Sequence, residues 1–353
     1  MYRAGVALCE VEGRSGARWQ RPLAGSLDQL TVHSDLLEGN PLGDAAIRPL
    51  YVYRPPNSPR SAQWLPSVYM LQGFGGQLEE WLAPPSEGLT TIERLDSMFS
   101  AGESAPALIV FVDASTSWGG SQFLNSSSTG RYLDYLCDEV VPFIDTRYPT
   151  RGAREHRGVS GKSSGGYGAM AVSMLRPEVF GALASHAGDA LFECCYQPLF
   201  PVAARLLRTQ FGGSWETFED QARKPDFDWR HSAALFAAYG TALAYTPDPN
   251  RPGKALVPFD SVGRPIDEIW SRWLALDPIR MANQHAHALA SMRAIYLDAG
   301  LQDEFFLDLG ATALSNELSR LGIPHSLELF EGNHDGVDER MPAAICELVH
   351  ALT

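Results

Sequence analysis

The apolar positions of this chain fall mainly into short unbroken runs. Residues 67–71 (SVYML), 107–112 (ALIVFV), 182–185 (ALAS) and 294–297 (AIYL) lack the polar alternation of a half-solvated strand. Runs of this length suit strands covered on both faces. Residues 156–160 and 326–330 read as two further strands of the same sheet. Residues 27–37 and 46–54, rich in β-branched and aromatic side chains, read as an antiparallel pair at its edge, closed by Pro55-Pro56-Asn57-Ser58-Pro59. Helix-like segments lie between the runs at 91–101, 131–147, 166–175, 305–321 and 340–352. The segment 305–321 carries Leu307, Leu309, Ala313, Leu314, Leu318 and Leu321, then stops at Gly322 with Pro324 just beyond. Strand and helix alternate, which predicts an α/β class fold: a mostly parallel central sheet of about eight strands with helices on both faces.

One stretch breaks the alternation. About a hundred residues precede the run at 294, holding Trp215, Trp229, Trp270 and Trp273 and punctuated by Pro247, Pro249, Pro252 and Pro265. They predict an inserted cap over 190–275, most of whose aromatics pack as a satellite core while a minority line a pocket. Residues 1–25, rich in Gly and Arg without a period, read as an N-terminal arm, and 26–353 as one domain.

Composition narrows the partners. The chain has 353 residues, 45% of them hydrophobic, enough for one large core. With 28 basic against 42 acidic residues and a formal net charge of -14, neither nucleic acid nor an anionic membrane is the expected partner. Residues 1–20 lack a secretory apolar stretch and no window approaches the ~20 apolar residues of a membrane span, so a cytoplasmic location is expected. The five cysteines, Cys9, Cys137, Cys194, Cys195 and Cys346, form neither a disulfide framework nor a zinc-ligand spacing. Cys137 is expected to serve as a small buried hydrophobe, and no metal or cofactor is expected. The oligomeric state is open, a homo-oligomer being compatible with the pattern.

Candidate chemistry centres on Gly161-Lys162-Ser163-Ser164-Gly165, a G-x-S-x-G sequence between a strand-like and a helix-like run. In such an elbow the serine occupies a strained strand-to-helix turn, and its neighbouring turns need residues without side chains. Ser160 and Ser164 lack glycine at both flanking positions, so Ser163 is the candidate nucleophile. A serine hydroxyl is a weak nucleophile and needs a base, usually histidine, oriented by a carboxylate. Of nine histidines, His334 fits: it follows the last predicted strand in the loop Glu331-Gly332-Asn333-His334-Asp335-Gly336, in the chain order expected for this elbow. The acid should follow the preceding strand, where Asp303 is preferred over Asp298, with Glu304 and Asp335 as further alternatives. Two N–H donors are needed for an oxyanion; Ser164 supplies one by position, and Phe74, with Gly75 as second choice, supplies the other from Gln72-Gly73-Phe74-Gly75-Gly76.

These segments together resemble the esterase D or enterochelin-esterase-like branch of the α/β-hydrolases, which includes S-formylglutathione hydrolases, feruloyl esterases and mycolyltransferases. The resemblance runs from about residue 50 to the C-terminus and rests on Tyr69 to Gly76 with Trp81 downstream, the Ser163 elbow, Gly300-Leu301-Gln302-Asp303, and Gly332-Asn333-His334-Asp335. It implies a Ser163-His334-Asp303 triad, an acyl-enzyme intermediate and no metal, in a serine esterase acting on a small-molecule ester. Expected substrate contacts are Gly75, Trp81 and Asp189. Lys162 and Ser164 depart from the residues common around the family nucleophile, and Gln72 stands where histidine is common. Acyl transfer or thioester cleavage would use the same triad, and a catalytically silent hydrolase-fold binding protein is the reading from a different class.

Overall fold

A computed structural model describes residues 20–56, 64–82 and 88–353, apart from the side chains of Glu80 and Trp229. Most of the predicted N-terminal arm and part of the Pro55–Pro59 breaker therefore lie outside the described residues. The central sheet has eight strands: β1 (Ser26–His33), β2 (Ile47–Arg54), β3 (Ser67–Leu71), β4 (Leu108–Val112), β5 (Arg157–Lys162), β6 (Ala182–His186), β7 (Ala294–Gly300) and β8 (Ser326–Phe330). Their spatial order is β1-β2-β4-β3-β5-β6-β7-β8. β2 pairs antiparallel with both β1 and β4, whereas every pairing from β4 to β8 is parallel. The expected edge pair and parallel core are both present.

The unbroken apolar runs become strands with two covered faces, and all five residues of β3 and of β4 are buried. On one face lie Val159, Leu183, Ile295 and Leu297, packed with Leu136 and Ile144 of the segment 132–147 and Leu314 and Leu318 of helix Leu307–Arg320. On the other lie Val68, Met70, Ala184 and Tyr296, packed against helices Thr91–Ala101 and Met341–Leu352. Helix Thr91–Ala101 starts on a reciprocal cap in which Thr90 and Glu93 exchange side-chain and backbone hydrogen bonds, and it ends at left-handed Gly102. The segment predicted as one helix at 131–147 carries a wide turn over Tyr135–Val140 between two α-helical pieces. Pro142 accounts for it: without an N–H, and with its ring directed at the carbonyl four residues back, it cannot continue a regular ladder. Cys137, in that turn, is buried as expected.

β3 and β5 are neighbours although β4 separates them in sequence. The chain leaves β3 toward one side of the sheet and returns to β5 on the other, which opens a crevice at their carboxyl ends. The loops after β3 and β5 meet there. Between β6 and β7 the chain forms several helices, including Leu199–Phe211, Ala233–Tyr245 and Asp267–Leu274, around an aromatic cluster of Phe192, Phe200, Tyr239, Tyr245, Trp270 and Trp273 above the crevice. Among the described residues no helix is long and apolar enough to cross a membrane.

Helix Met341–Leu352 covers β5 through Leu348 and Leu352, which sit against Gly158. Leu348 is fully buried, so Leu348→Ala is expected to cost about 2–5 kcal/mol through lost transfer energy and a residual cavity. Urea unfolding checks this.

Candidate functional site

β5 ends at Lys162, and the chain reverses at Ser163 with φ 57° and ψ −125° before helix Ser164–Leu175 begins. An L-residue held there carries of order 1–3 kcal/mol of strain, so its surroundings must over-determine it. They do. The Ser163 N–H donates to His186 O on β6 at 2.9 Å, and its carbonyl accepts from Tyr167 N–H at 2.9 Å. The two motif glycines are fixed by close approach: a Cβ on Gly165 would overlap Leu71 O, and one on Gly161 would overlap the Gly165 carbonyl. The helix can dock onto β3 and β5 only with glycine at both positions. It starts two residues earlier than the apolar pattern suggested.

The loops after β7 and β8 are stitched together, Leu301 N–H donating to Phe330 O and Gln302 N–H to Gly332 O, each at 2.9 Å. Asp303 thereby comes beside His334, and Asp303 Oδ2 lies 2.7 Å from His334 Nδ1. Its other oxygen accepts from Phe305 N–H at 2.8 Å, and the side chain is fully buried. A carboxylate in that position holds the imidazole with its proton on Nδ1 and a lone pair on Nε2. Glu304 accepts from the His334 backbone N–H at 3.1 Å, and the Phe305 ring stands edge-on to the imidazole at 5.1 Å.

Ser163 and His334 line one cavity of ≈ 420 Å³ with Phe74, Gly75, Ser164 and Asp189. Its remaining wall is mostly apolar, made by Phe236, Phe305, Leu307, Leu199, Cys195 and a stripe of Ala233, Ala237 and Thr241 on helix Ala233–Tyr245, flanked by Ala234, with Tyr196 beside Asp189. Ser164 is the first residue of its helix, so its N–H has no intrahelical acceptor. The Phe74 loop is a tight turn in which Gly76 N–H donates to Gly73 O at 3.1 Å and the buried Gln72 side chain donates to Gly76 O. The Phe74 ring is seated against Gly119, Gly120 and Gly240 and edge-on to Phe236 at 6.0 Å, which anchors the turn beside Ser163.

Asp189 sits at the polar end of the cavity, 6% exposed. Its Oδ2 accepts from Tyr196 OH at 2.6 Å, Ser164 Oγ at 3.1 Å and Gln122 Nε2 at 3.4 Å. Burial pushes its carboxyl above the ordinary carboxylate range, and the bonds from Tyr196 and Ser164 pull the other way. Trp81 is not brought to this cavity. It packs in the core that helices Thr91–Ala101 and Met341–Leu352 form with the sheet, its ring 5.4 Å from that of Phe111. Tryptophan spacing alone does not say on which face of the sheet a loop residue falls.

Two of the alternative acids, Asp298 and Asp335, are engaged elsewhere. Asp298 pairs with His186 Nδ1 at 2.9 Å, both side chains fully buried. Asp335 and Asp338 take Lys162 Nζ at 3.3 and 3.1 Å. This second pairing was not anticipated from sequence. Lys162 precedes Ser163 and its side chain is only 18% exposed, so it ties the end of β5 to the helical turn His334–Glu339. The one signal for it was the unusual lysine inside the motif. Gln122 and Tyr196 gave no sequence signal, although Gln122 and Phe123 both have φ 52°, which aims Gln122 into the cluster.

A family model named Esterase matches residues 47–337. Among curated proteins, an uncharacterised protein of Corynebacterium glutamicum is 23% identical over 210 residues, 58% of this chain and 43% of that protein. An endo-1,4-beta-xylanase/feruloyl esterase of Xylanibacter ruminicola is 25% identical over 116 residues, 33% of this chain and 15% of its own length. The chain thus spans less than half the length of each of these two relatives. Among solved structures, a ferulic acid esterase superposes with a TM-score of 0.60 at 15% identity, covering 94% of this chain and 100% of its own. An S-formylglutathione hydrolase from Staphylococcus aureus superposes with a TM-score of 0.54 at 16% identity, covering 92% and 99%. These two likenesses concern the fold, the α/β-hydrolase architecture.

The elbow geometry predicts that Ser163→Gly stabilises the protein by about 1 kcal/mol in urea unfolding, because glycine relieves the positive φ, while Ser163→Ala leaves the strain in place. The ion pairs predict that Lys162→Met speeds amide hydrogen exchange over residues 334–339 by severalfold. Asp335 and Asp338 are largely exposed, 87% and 44%, so each pair contributes no more than about 1 kcal/mol, and high salt should reproduce part of the effect in the unaltered protein.

Proposed function

The chain belongs to the Esterase family of carboxylic ester hydrolases, and on that premise we propose that it cleaves a small-molecule ester by nucleophilic attack from Ser163. The observation that carries this reading is the shared wall: Ser163 and His334 face one cavity, and Asp303 holds the imidazole at 2.7 Å. Ser163 Oγ attacks the ester carbonyl carbon while His334 Nε2 takes its proton. The carbonyl oxygen becomes an oxyanion that accepts from the N–H groups of Ser164 and Phe74, two residues of the cavity wall. Asp303 keeps the proton of Nδ1 in place and stabilises the imidazolium. His334 then protonates the leaving alcohol, the acyl group stays on Ser163, and water attacks by the reverse sequence of proton transfers to release the acid.

The strained elbow supports the same reading, since strain kept at one serine places its hydroxyl above the sheet edge where substrate can reach it. Ser163→Ala and His334→Gln are each expected to lower kcat by ~10⁴-fold or more with little change in stability, and Asp303→Asn by somewhat less. A fluorophosphonate probe should modify Ser163 alone, located by peptide mass spectrometry. A Ser163→Ala protein that keeps near-native turnover of a simple ester would overturn the assignment.

A further inference from the structure

With Ser163, Ser164 and His334 set aside as reacting groups, the polar groups left on the cavity wall are Asp189, Tyr196 and Thr241. Asp189 is the charged one, and its surroundings are lopsided. All three of its hydrogen bonds, from Tyr196, Ser164 and Gln122, converge on Oδ2. Oδ1 accepts none from the described residues, yet it is not sealed off, and the residue lines the cavity. Gln122 and Tyr196 are themselves held in place, Gln122 Nε2 lying 3.0 Å from Tyr196 OH and 3.3 Å from Tyr245 OH. A buried network that satisfies one carboxylate oxygen three times and leaves the other without a donor, on a residue of the cavity wall, is built to receive one.

We propose that Asp189 Oδ1 is a specificity determinant that accepts a hydrogen bond from a hydroxyl on C2 or C3 of the acyl group, making 2- or 3-hydroxyacyl esters the preferred substrate class. The inference rests on the Ser163 chemistry proposed above. A hydroxyl fits better than an ammonium group. A cation would shed its hydration in an otherwise apolar cavity and would meet the imidazolium that forms on His334 during turnover. The position on the acyl chain follows from Ser164. Its Oγ bonds Asp189 while its N–H is a proposed donor to the ester carbonyl oxygen, so both recognition points hang from one residue and only a nearby hydroxyl spans them. The acyl side is selected because the alcohol must leave past His334, which protonates it.

Ethyl butanoate, ethyl 2-hydroxybutanoate and ethyl 3-hydroxybutanoate, with ethyl hexanoate and ethyl 6-hydroxyhexanoate as the distant-hydroxyl pair, provide the test. Each kcat/KM is divided by the rate of hydroxide-catalysed hydrolysis of the same ester, to remove the inductive effect of the hydroxyl. The expected result is a preference of about 10-fold or more for the 2- or 3-hydroxy ester over butanoate, with none for 6-hydroxyhexanoate over hexanoate. Asp189→Leu, which leaves neither acceptor nor donor at that position, should collapse that ratio toward one, whereas Tyr196→Phe, which removes a donor to Oδ2 and none to Oδ1, should retain it. No preference in the unaltered protein, or a preference that persists in Asp189→Leu, overturns the proposal. Should Asp189→Leu fail to fold, the contrast between near and distant hydroxyls in the unaltered protein decides. Loss of butanoate turnover in Ser163→Ala establishes the chemistry on which the proposal rests. Turnover that survives there strikes that chemistry, and the hydroxyl ratio then judges the cavity by itself.

Discussion

A turn with φ 57° and ψ −125° at Ser163 persists only because the strands on either side of β5 grip it at once. From β6, His186 O receives the Ser163 N–H; from β3, Leu71 O sits where only a glycine at 165 can approach. The order β3-β5-β6 is thus a requirement of the turn as much as a feature of the sheet. Helix Ser164–Leu175 inherits its docking angle from the same contacts. So does the N–H of its first residue, which has no acceptor within the helix.

Beneath the turn runs a polar row at the carboxyl edge of the sheet. Lys162, His186, Asp298 and Glu328 are successive register partners across β5, β6, β7 and β8. Buried charged groups in such a place are costly unless paired, and each member of the row has a partner: His186 with Asp298, Lys162 with Asp335 and Asp338, Glu328 with Arg340. The row also supplies backbone acceptors, since Ala187 N–H donates to Asp298 O at 2.8 Å just as Ser163 N–H donates to His186 O. Two of the loops that meet at the cavity, after β5 and after β8, are therefore linked through side chains that do not line it.

How far the sequence discloses this depends on how local each constraint is. The elbow was legible because glycine at 161 and 165 answers a clash within five residues of chain. His334 and Asp303 were legible because parallel strands deliver their following loops to one edge, and a loop acid reaches farther than one still on the strand; Asp298, on β7, turns to His186 instead. Trp81 lies outside this cavity wall, packed on Phe111 of β4, and one-dimensional spacing carries no information on which neighbours a loop residue meets. The Lys162 pairs join residues more than 170 positions apart, and the Gln122–Tyr196–Asp189 cluster brings the segment after β6 together with a residue more than 60 positions earlier. Neither leaves a periodic trace.

The proposed reacting groups and the shape of the cavity belong to different parts of the chain. Ser163, Asp303 and His334 follow strands of a close-packed sheet, whereas much of the opposite wall is the stripe Ala233, Ala237 and Thr241 with Ala234 beside it. Alanine is nearly the smallest side chain a helix accepts at no conformational cost, so almost any replacement along that stripe takes room away. The chain therefore stands near the wide limit of its own design. Descendants that change this helix face would divide an accommodating ancestor into narrower specialists, and could do so without disturbing the strained serine a few ångströms across the cavity.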